Sequence, residues 1–131
     1  MNEESSAGWT DESIKEPKIY FFDTYAFFEI IKGNPNYNPY LDCKIVTTIF
    51  NLAELNYNLK KEKDRKTVDE FTDKYYEFVV EVAVDDIKKA MDFKSANRHF
   101  SIPDAIGYTI AKRLGVKFLT GDNAFEDMEN V

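Results

Sequence analysis

A lone cysteine, Cys43, and a lone histidine, His99, are all the soft or imidazole ligand chemistry that this chain of 131 residues carries. One thiol forms no intrachain disulfide, and it cannot assemble a cysteine-based zinc site. Any metal bound here is therefore held largely by oxygen, which selects magnesium, manganese or calcium over zinc or copper. Long hydrophobic runs are missing too, since none approaches the roughly 18 to 20 residues that span a bilayer. The stretch from Met1 to Lys18 is polar and acidic, with no apolar segment that could serve as a secretory signal. These absences predict a cytoplasmic protein with no membrane partner.

What is present is a globular composition. Hydrophobic residues make up 44% of the chain, Phe and Tyr are common, and the length suits one domain rather than two. The formal charge of -7 is the opposite of the basic footprint expected for phosphate binding. Its distribution softens the conflict. Residues 1–18 hold Glu3, Glu4, Asp11, Glu12 and Glu16 against two lysines, so -4 remains for everything after them. If four carboxylates are reserved for a metal, the remaining surface is close to neutral.

Residues 1–17 lack helix or strand periodicity and read as a disordered or loosely attached acidic leader carrying Trp9, followed by one domain over 18–131. Lys18 to Phe22 is a continuous apolar run of the kind found in a strand covered on both faces. A helix is expected over Thr24 to Lys32, ended by Gly33 and Pro35, and a short helix or turn over Asn36 to Asp42. A strand over Lys44 to Thr47 leads into a helix from about Thr48 to Lys61, and the charged run Lys60 to Lys66 marks an exposed turn. Then come a helix over Thr67 to Tyr76, a strand over Phe78 to Val84 and a helix from Asp86 to about Asn97 started by Asp85 and Asp86. Ser101 opens a helix to Leu114 that Gly115 closes. Val116 to Leu119 reads as a strand, Thr120 to Asp122 as a turn and Asn123 to Met128 as a last helical turn. Strands alternating with helices predict a three-layer α/β fold, with a mostly parallel central sheet and helices on both faces.

Ligands of such sheets bind beyond the carboxyl ends of the strands, and the informative acids lie there. Asp23 directly follows the first strand. Glu54 is on the second turn of the helix after the second strand, Asp104 is in the first turn of the helix opened by Ser101, and Asp122 is three residues past Leu119. Each has a plain structural explanation: Asp23 and Asp122 as helix caps, Ser101 with Asp104 as a capping box, Glu54 as a solvated helix residue. Together they are harder to dismiss. Two like charges about 4 Å apart repel by roughly 4 kcal/mol at an effective dielectric of 20, so several carboxylates on one rim need protons or a cation. A hard divalent cation meets that need and can activate a water molecule and stabilise a phosphate in displacement.

At these residues the chain resembles the PIN-domain nucleases, and more narrowly the VapC-type toxins of toxin–antitoxin pairs. The matching stretches are Tyr20-Phe-Phe-Asp23-Thr24, Thr47-Thr-Ile-Phe-Asn-Leu-Ala-Glu54-Leu, Ser101-Ile-Pro-Asp104-Ala-Ile-Gly and Leu119-Thr120-Gly-Asp122-Asn-Ala-Phe125, in order over about residues 18–128. The resemblance implies a five-stranded parallel sheet, dependence on Mg2+ or Mn2+, and RNA as substrate, cut by a metal-activated water. It makes Asp23, Glu54, Asp104 and Asp122 the metal-binding and catalytic acids, and places Thr120 where a hydroxyl orients carboxylate or water. Thr24 occupies the small polar position after the first acid. The resemblance also implies a small antitoxin partner and a homodimer. Family members usually continue past the last helix into a fifth strand, whereas this sequence stops at Glu129-Asn-Val131, so over 18–131 that strand is expected either to be missing or to be cut off.

The basic run Lys60, Lys61, Lys63, Arg65 and Lys66 could meet RNA phosphate, although the interleaved Glu62 and Asp64 favour a solvated helix end. Arg98 and His99 precede the third acid and are read as ordinary loop residues. Phe21, Phe22, Tyr25, Phe27 and Phe28 are read as core, with some available to a partner. A non-catalytic PIN-like domain that binds RNA or protein is the main alternative. A phosphoryl-accepting receiver domain fits less well, since it needs an acidic pair after the first strand and a lysine after the last.

Overall fold

The computed structural model describes residues 18–121. The acidic leader, Asp122 and the helical turn expected over Asn123 to Met128 lie outside the described residues. Among the described residues, three strands form one sheet: β1 (Ile19–Phe22), β2 (Lys44–Val46) and β3 (Lys117–Leu119), in the order β2-β1-β3. Both pairings are parallel, with Phe21 of β1 opposite Val46 on one side and Phe118 on the other. Among the described residues, five α-helices connect and flank them: α1 (Thr24–Ile31), α2 (Ile49–Leu59), α3 (Arg65–Tyr75), α4 (Val84–Ala96) and α5 (Ile102–Leu114).

The central strand is apolar at consecutive positions because both faces are covered. Successive side chains of a strand point to opposite faces, and Phe21 and Phe22, both fully buried, enter two separate cores. Phe21 joins Ala90 of α4, Ile106 and Ile110 of α5 and Phe118. Phe22 joins Phe27 of α1, Leu52, Leu55 and Leu59 of α2, and Val68 of α3. This is the three-layer α/β arrangement expected, with helices on both faces of a parallel sheet; among the described residues the sheet has three strands.

Helix boundaries follow local chemistry. Thr48, Asp64 and Ser101 each cap a helix by accepting a backbone N–H on the side chain. Gly115 ends α5 at φ 70°, and Gly33 takes φ 79° just past α1, conformations with little steric penalty only for glycine. The turn expected from Asn36 is a 3-10 helix over Pro35–Tyr40.

The strand expected over Phe78 to Val84 does not form. Tyr76–Phe78 is a 3-10 turn, and only Val79 makes a bridge, to Thr47. Thr47 donates to the Phe78 carbonyl (3.0 Å) and accepts from Val80 N–H (2.9 Å), after which β2 has no further strand to offer. Side chains then take over the backbone groups. Arg113 Nη2 donates to the Glu81 carbonyl (3.1 Å), and Ala83 N–H donates to Asp86 Oδ2 (2.9 Å). Asp86, expected merely to start the helix, is buried and also accepts from Arg113 Nε at 2.9 Å. The apolar alternation of Val80, Val82 and Val84 was a misleading strand signal: Val80 and Val82 pack on the Phe21 core, while Val84 begins α4.

One close approach sets the height of α5 above the sheet. A Cβ on Gly107 would stand 2.8 Å from Phe21 Cε1 and 3.3 Å from Asn51 Oδ1. The Phe21 ring is fully buried and has little room to retreat. Gly107→Ala is therefore expected to lower unfolding free energy by about 1–3 kcal/mol through overpacking, measured by urea denaturation. Unchanged stability would mean that this contact does not set the position of α5.

Candidate active site

In a sheet ordered β2-β1-β3, the chain goes from β1 to one side and later returns to the other, which opens a crevice beyond the carboxyl ends of β1 and β3. Asp23 is the first residue past β1. It is 1% exposed, its Oδ1 accepts from Ala26 N–H at 2.7 Å, and its own N–H donates to the Leu119 carbonyl at 3.3 Å. The capping explanation for Asp23 thus holds, and the same bonds lock the carboxylate beside the end of β3.

Asp104 also has both roles. Its Oδ2 accepts from Ser101 N–H at 3.2 Å while Ser101 Oγ accepts from Asp104 N–H at 3.1 Å, a reciprocal capping box with Asp in the usual Glu position. Gly107, one turn further on, lets α5 come close enough to carry Asp104 to the rim. Glu54 is half-buried rather than solvated. Asp23, Glu54 and Asp104, drawn from three distant segments, line one cavity of about 480 Å³ together with Thr24, Ser101 and Lys61.

Burial pushes the Glu54 carboxyl above its ordinary value of 4.5, a hydrogen bond from Thr24 pulls it partly back, and the Asp104 charge adds to the rise. With Glu62 included, four carboxylates of the described residues line the cavity against one cation, Lys61. Among the described residues, no three acids, histidines or cysteines stand close enough to enclose an ion. The all-oxygen donor set suits a hard divalent cation, and the fourth acid of the set, Asp122, lies outside the described residues. Thr120, just past β3, is half-buried and is not among the described residues lining the cavity. Its neighbour Gly121 packs so closely on the Tyr25 ring that any Cβ would overlap it, and the Tyr37 hydroxyl stands 2.6 Å from that position. Tyr25 lines the cavity, so Gly121 packs against a residue of the cavity wall.

Three contributors were missed by reading the sequence. Asn51 is fully buried beneath the site. Its Oδ1 accepts from Thr48 Oγ1 at 2.6 Å, and its Nδ2 donates to Thr24 Oγ1 at 3.4 Å, so it supports the threonine that bonds to Glu54. Its place three residues after a capping threonine was the available signal. Tyr37 is buried and its phenol is pushed up to about 12, first by burial and then by the charge of Asp23. Nothing in the sequence around Pro35 and Pro39 points to that proximity. Tyr25, grouped with the core aromatics, is exposed at the cavity instead. Arg98 and His99 are exposed loop residues, and the His99 ring packs at a tilt on Phe100, centroids 4.1 Å apart.

A parallel α/β sheet with carboxylates gathered beyond its strand ends defines a class in which acids serve phosphate chemistry. The sequence model of the PIN domain matches residues 20–131, and the chain belongs to that family. No curated protein and no solved structure matches. PIN domains are generally nucleases that use divalent metals, so a nuclease-type hydrolase activity and a nucleic-acid partner follow. Among the described residues, no helix is long and apolar enough to cross a membrane.

The raised Glu54 carboxyl has a signed consequence. The folded chain holds that proton more tightly than the unfolded one, so the resulting stabilisation is complete below pH 4.5 and is lost as pH rises through the raised value. Ionised Glu54 is then a cost at neutral pH. Glu54→Gln should raise the melting temperature at pH 7 without divalent ions, with the gap closing toward pH 4. A gap that does not change with pH would show that ionisation of Glu54 carries no penalty.

Proposed function

We propose that this chain is a metal-dependent endoribonuclease, with Asp23, Glu54, Asp104 and Asp122 as its metal-binding acids and residues 18–131 as its catalytic body. The supporting observation is the convergence of Asp23, Glu54 and Asp104 on one cavity at the carboxyl edge of a parallel sheet. Mg2+ or Mn2+ held there would activate water and neutralise charge on the phosphate as the 3′ oxygen leaves. Asp23 and Asp104, each fixed by backbone hydrogen bonds, are positioned before any ion arrives, which reduces the reorganisation that binding demands. Glu54, the acid with the raised proton affinity, completes the set or acts through water. Thr120 would orient carboxylate or water next to Asp122.

The four ordered motifs further support a VapC-type toxin, acting in the cytoplasm as a homodimer and neutralised by a small antitoxin. A short reading frame with a DNA-binding pattern immediately upstream of the gene is the genomic sign of that role.

The enzyme assignment is tested by incubating the purified chain with RNA and Mn2+, alongside Asp104→Asn. The substitution is expected to lower cleavage at least about a hundredfold, a loss of roughly 2.7 kcal/mol of transition-state stabilisation, and to weaken Mn2+ binding by calorimetry. Equal cleavage by both proteins would sink the assignment. A chain that binds RNA with no Mn2+ affinity would instead be a non-catalytic PIN-like binding domain.

A further inference from the structure

Helix α2 and the turn after it carry Glu54, Tyr57, Asn58 and Lys61 at spacings of three, four and seven residues, which puts all four on one helical face. The spacing survives the helix end because Lys61 N–H donates to the Asn58 carbonyl at 3.2 Å. Glu54, Asn58 and Lys61 line the carboxylate cavity. Tyr57, the neighbour of Asn58 in the chain, is 67% exposed, with Lys61 Nζ 4.5 Å from the centroid of its ring.

Neighbouring cations are occupied differently. Lys60 pairs with Asp69 at 2.8 Å, whereas Lys61 is in no ion pair among the described residues. Lys61 is also the sole cation among the described residues lining the cavity, whose other charged members are Asp23, Glu54, Glu62 and Asp104. An exposed aromatic ring carrying an unneutralised ammonium, next to an acidic cavity, presents a stacking surface and a phosphate contact together. Glu54 and Lys61 are seven residues apart, about 10 Å along the helix, so a polymer entering the cavity extends past the ring.

We infer that Tyr57 and Lys61 form a binding platform for single-stranded nucleic acid running out of the carboxylate cavity, with one unpaired base stacked on Tyr57 and one backbone phosphate on Lys61. The inference rests on the nuclease reading above for what happens at the acids, but the platform itself requires only binding. A duplex is a poor occupant, because its bases are already stacked and paired.

The test is fluorescence anisotropy of the full chain, carrying Asp104→Asn to prevent cleavage, with a labelled RNA strand of about a dozen nucleotides and its DNA counterpart. Tyr57→Ala should weaken binding about tenfold for both strands, since neither stacking nor a phosphate contact reads the sugar. Tyr57→Phe should retain most of the affinity. Lys61→Ala should weaken binding and lower the slope of log affinity against log salt by about one, while Lys88→Ala on the exposed side of α4 should change nothing. Full affinity in both Tyr57→Ala and Lys61→Ala, or no binding by the parent, would overturn the platform. Cleavage is scored separately, without the Asp104 substitution. Binding that depends on Tyr57 in a chain that never cuts would remove the nuclease reading and keep the platform; cutting whose KM ignores both substitutions would do the reverse.

Discussion

The burial of β1 on both faces governs the geometry of this molecule. Phe21 and Phe22 enter opposite cores, so the strand can neither slip by one residue nor rotate without moving a large ring out of its core. The next residue is Asp23, whose N–H is tied to the Leu119 carbonyl. A short apolar strand thus acts as a fixed mount for a buried acid. Parallel pairing then brings the end of β3, and with it Thr120, to the same edge. Helix α2 is bound to this arrangement twice, through Leu52 and Leu55 in the Phe22 core and through Asn51 and Thr24 beneath the site.

The acids at that edge show how a structural and a chemical role can coexist in one side chain. Asp23 and Asp104 each give an oxygen to a backbone N–H at the start of a helix, where the helix dipole also favours negative charge. Those bonds fix two carboxylates in a cavity they share with Glu54. Glu54 lacks a helix N-terminus to stabilise it; burial raises its proton affinity, the Asp104 charge adds to the rise, and the hydrogen bond from Thr24 only partly offsets it. The cavity therefore favours a proton or a cation on its least supported member.

Much of this was legible because it was local. The apolar run before Asp23, the Ser101 to Asp104 box and the glycine after Leu114 are patterns within a few residues, and each gave the element expected. Where side chains from far along the chain decide the outcome, the sequence misled or was silent. Val80 and Val82 alternate like a strand, yet Arg113, some thirty residues later, and Asp86 take the backbone bonds of that segment. The closeness of Tyr37 to Asp23 arises from how a 3-10 turn folds back over α1, which no spacing encodes. The basic run after Leu59 looked uniformly solvated, and only packing separates Lys60, paired with Asp69, from Lys61, turned to the cavity.

That separation bears on the oldest difficulty with this chain, its net charge of -7. A protein that binds phosphates through a broad basic face depends on many weak, screened contacts. Here the acids are concentrated where an ion would neutralise them, and a cation is set seven residues along the same helix face from Glu54. Attraction for a polyanion is then local and conditional. Among the described residues lining the cavity, Lys61 alone opposes Asp23, Glu54, Glu62 and Asp104, so a divalent ion bound there would offset much of the negative charge that repels phosphate. On the proposed reading, an acidic chain built this way would hold a strand mainly where it also acts on it, because the ion that offsets the acids for the phosphate is the one that serves the chemistry.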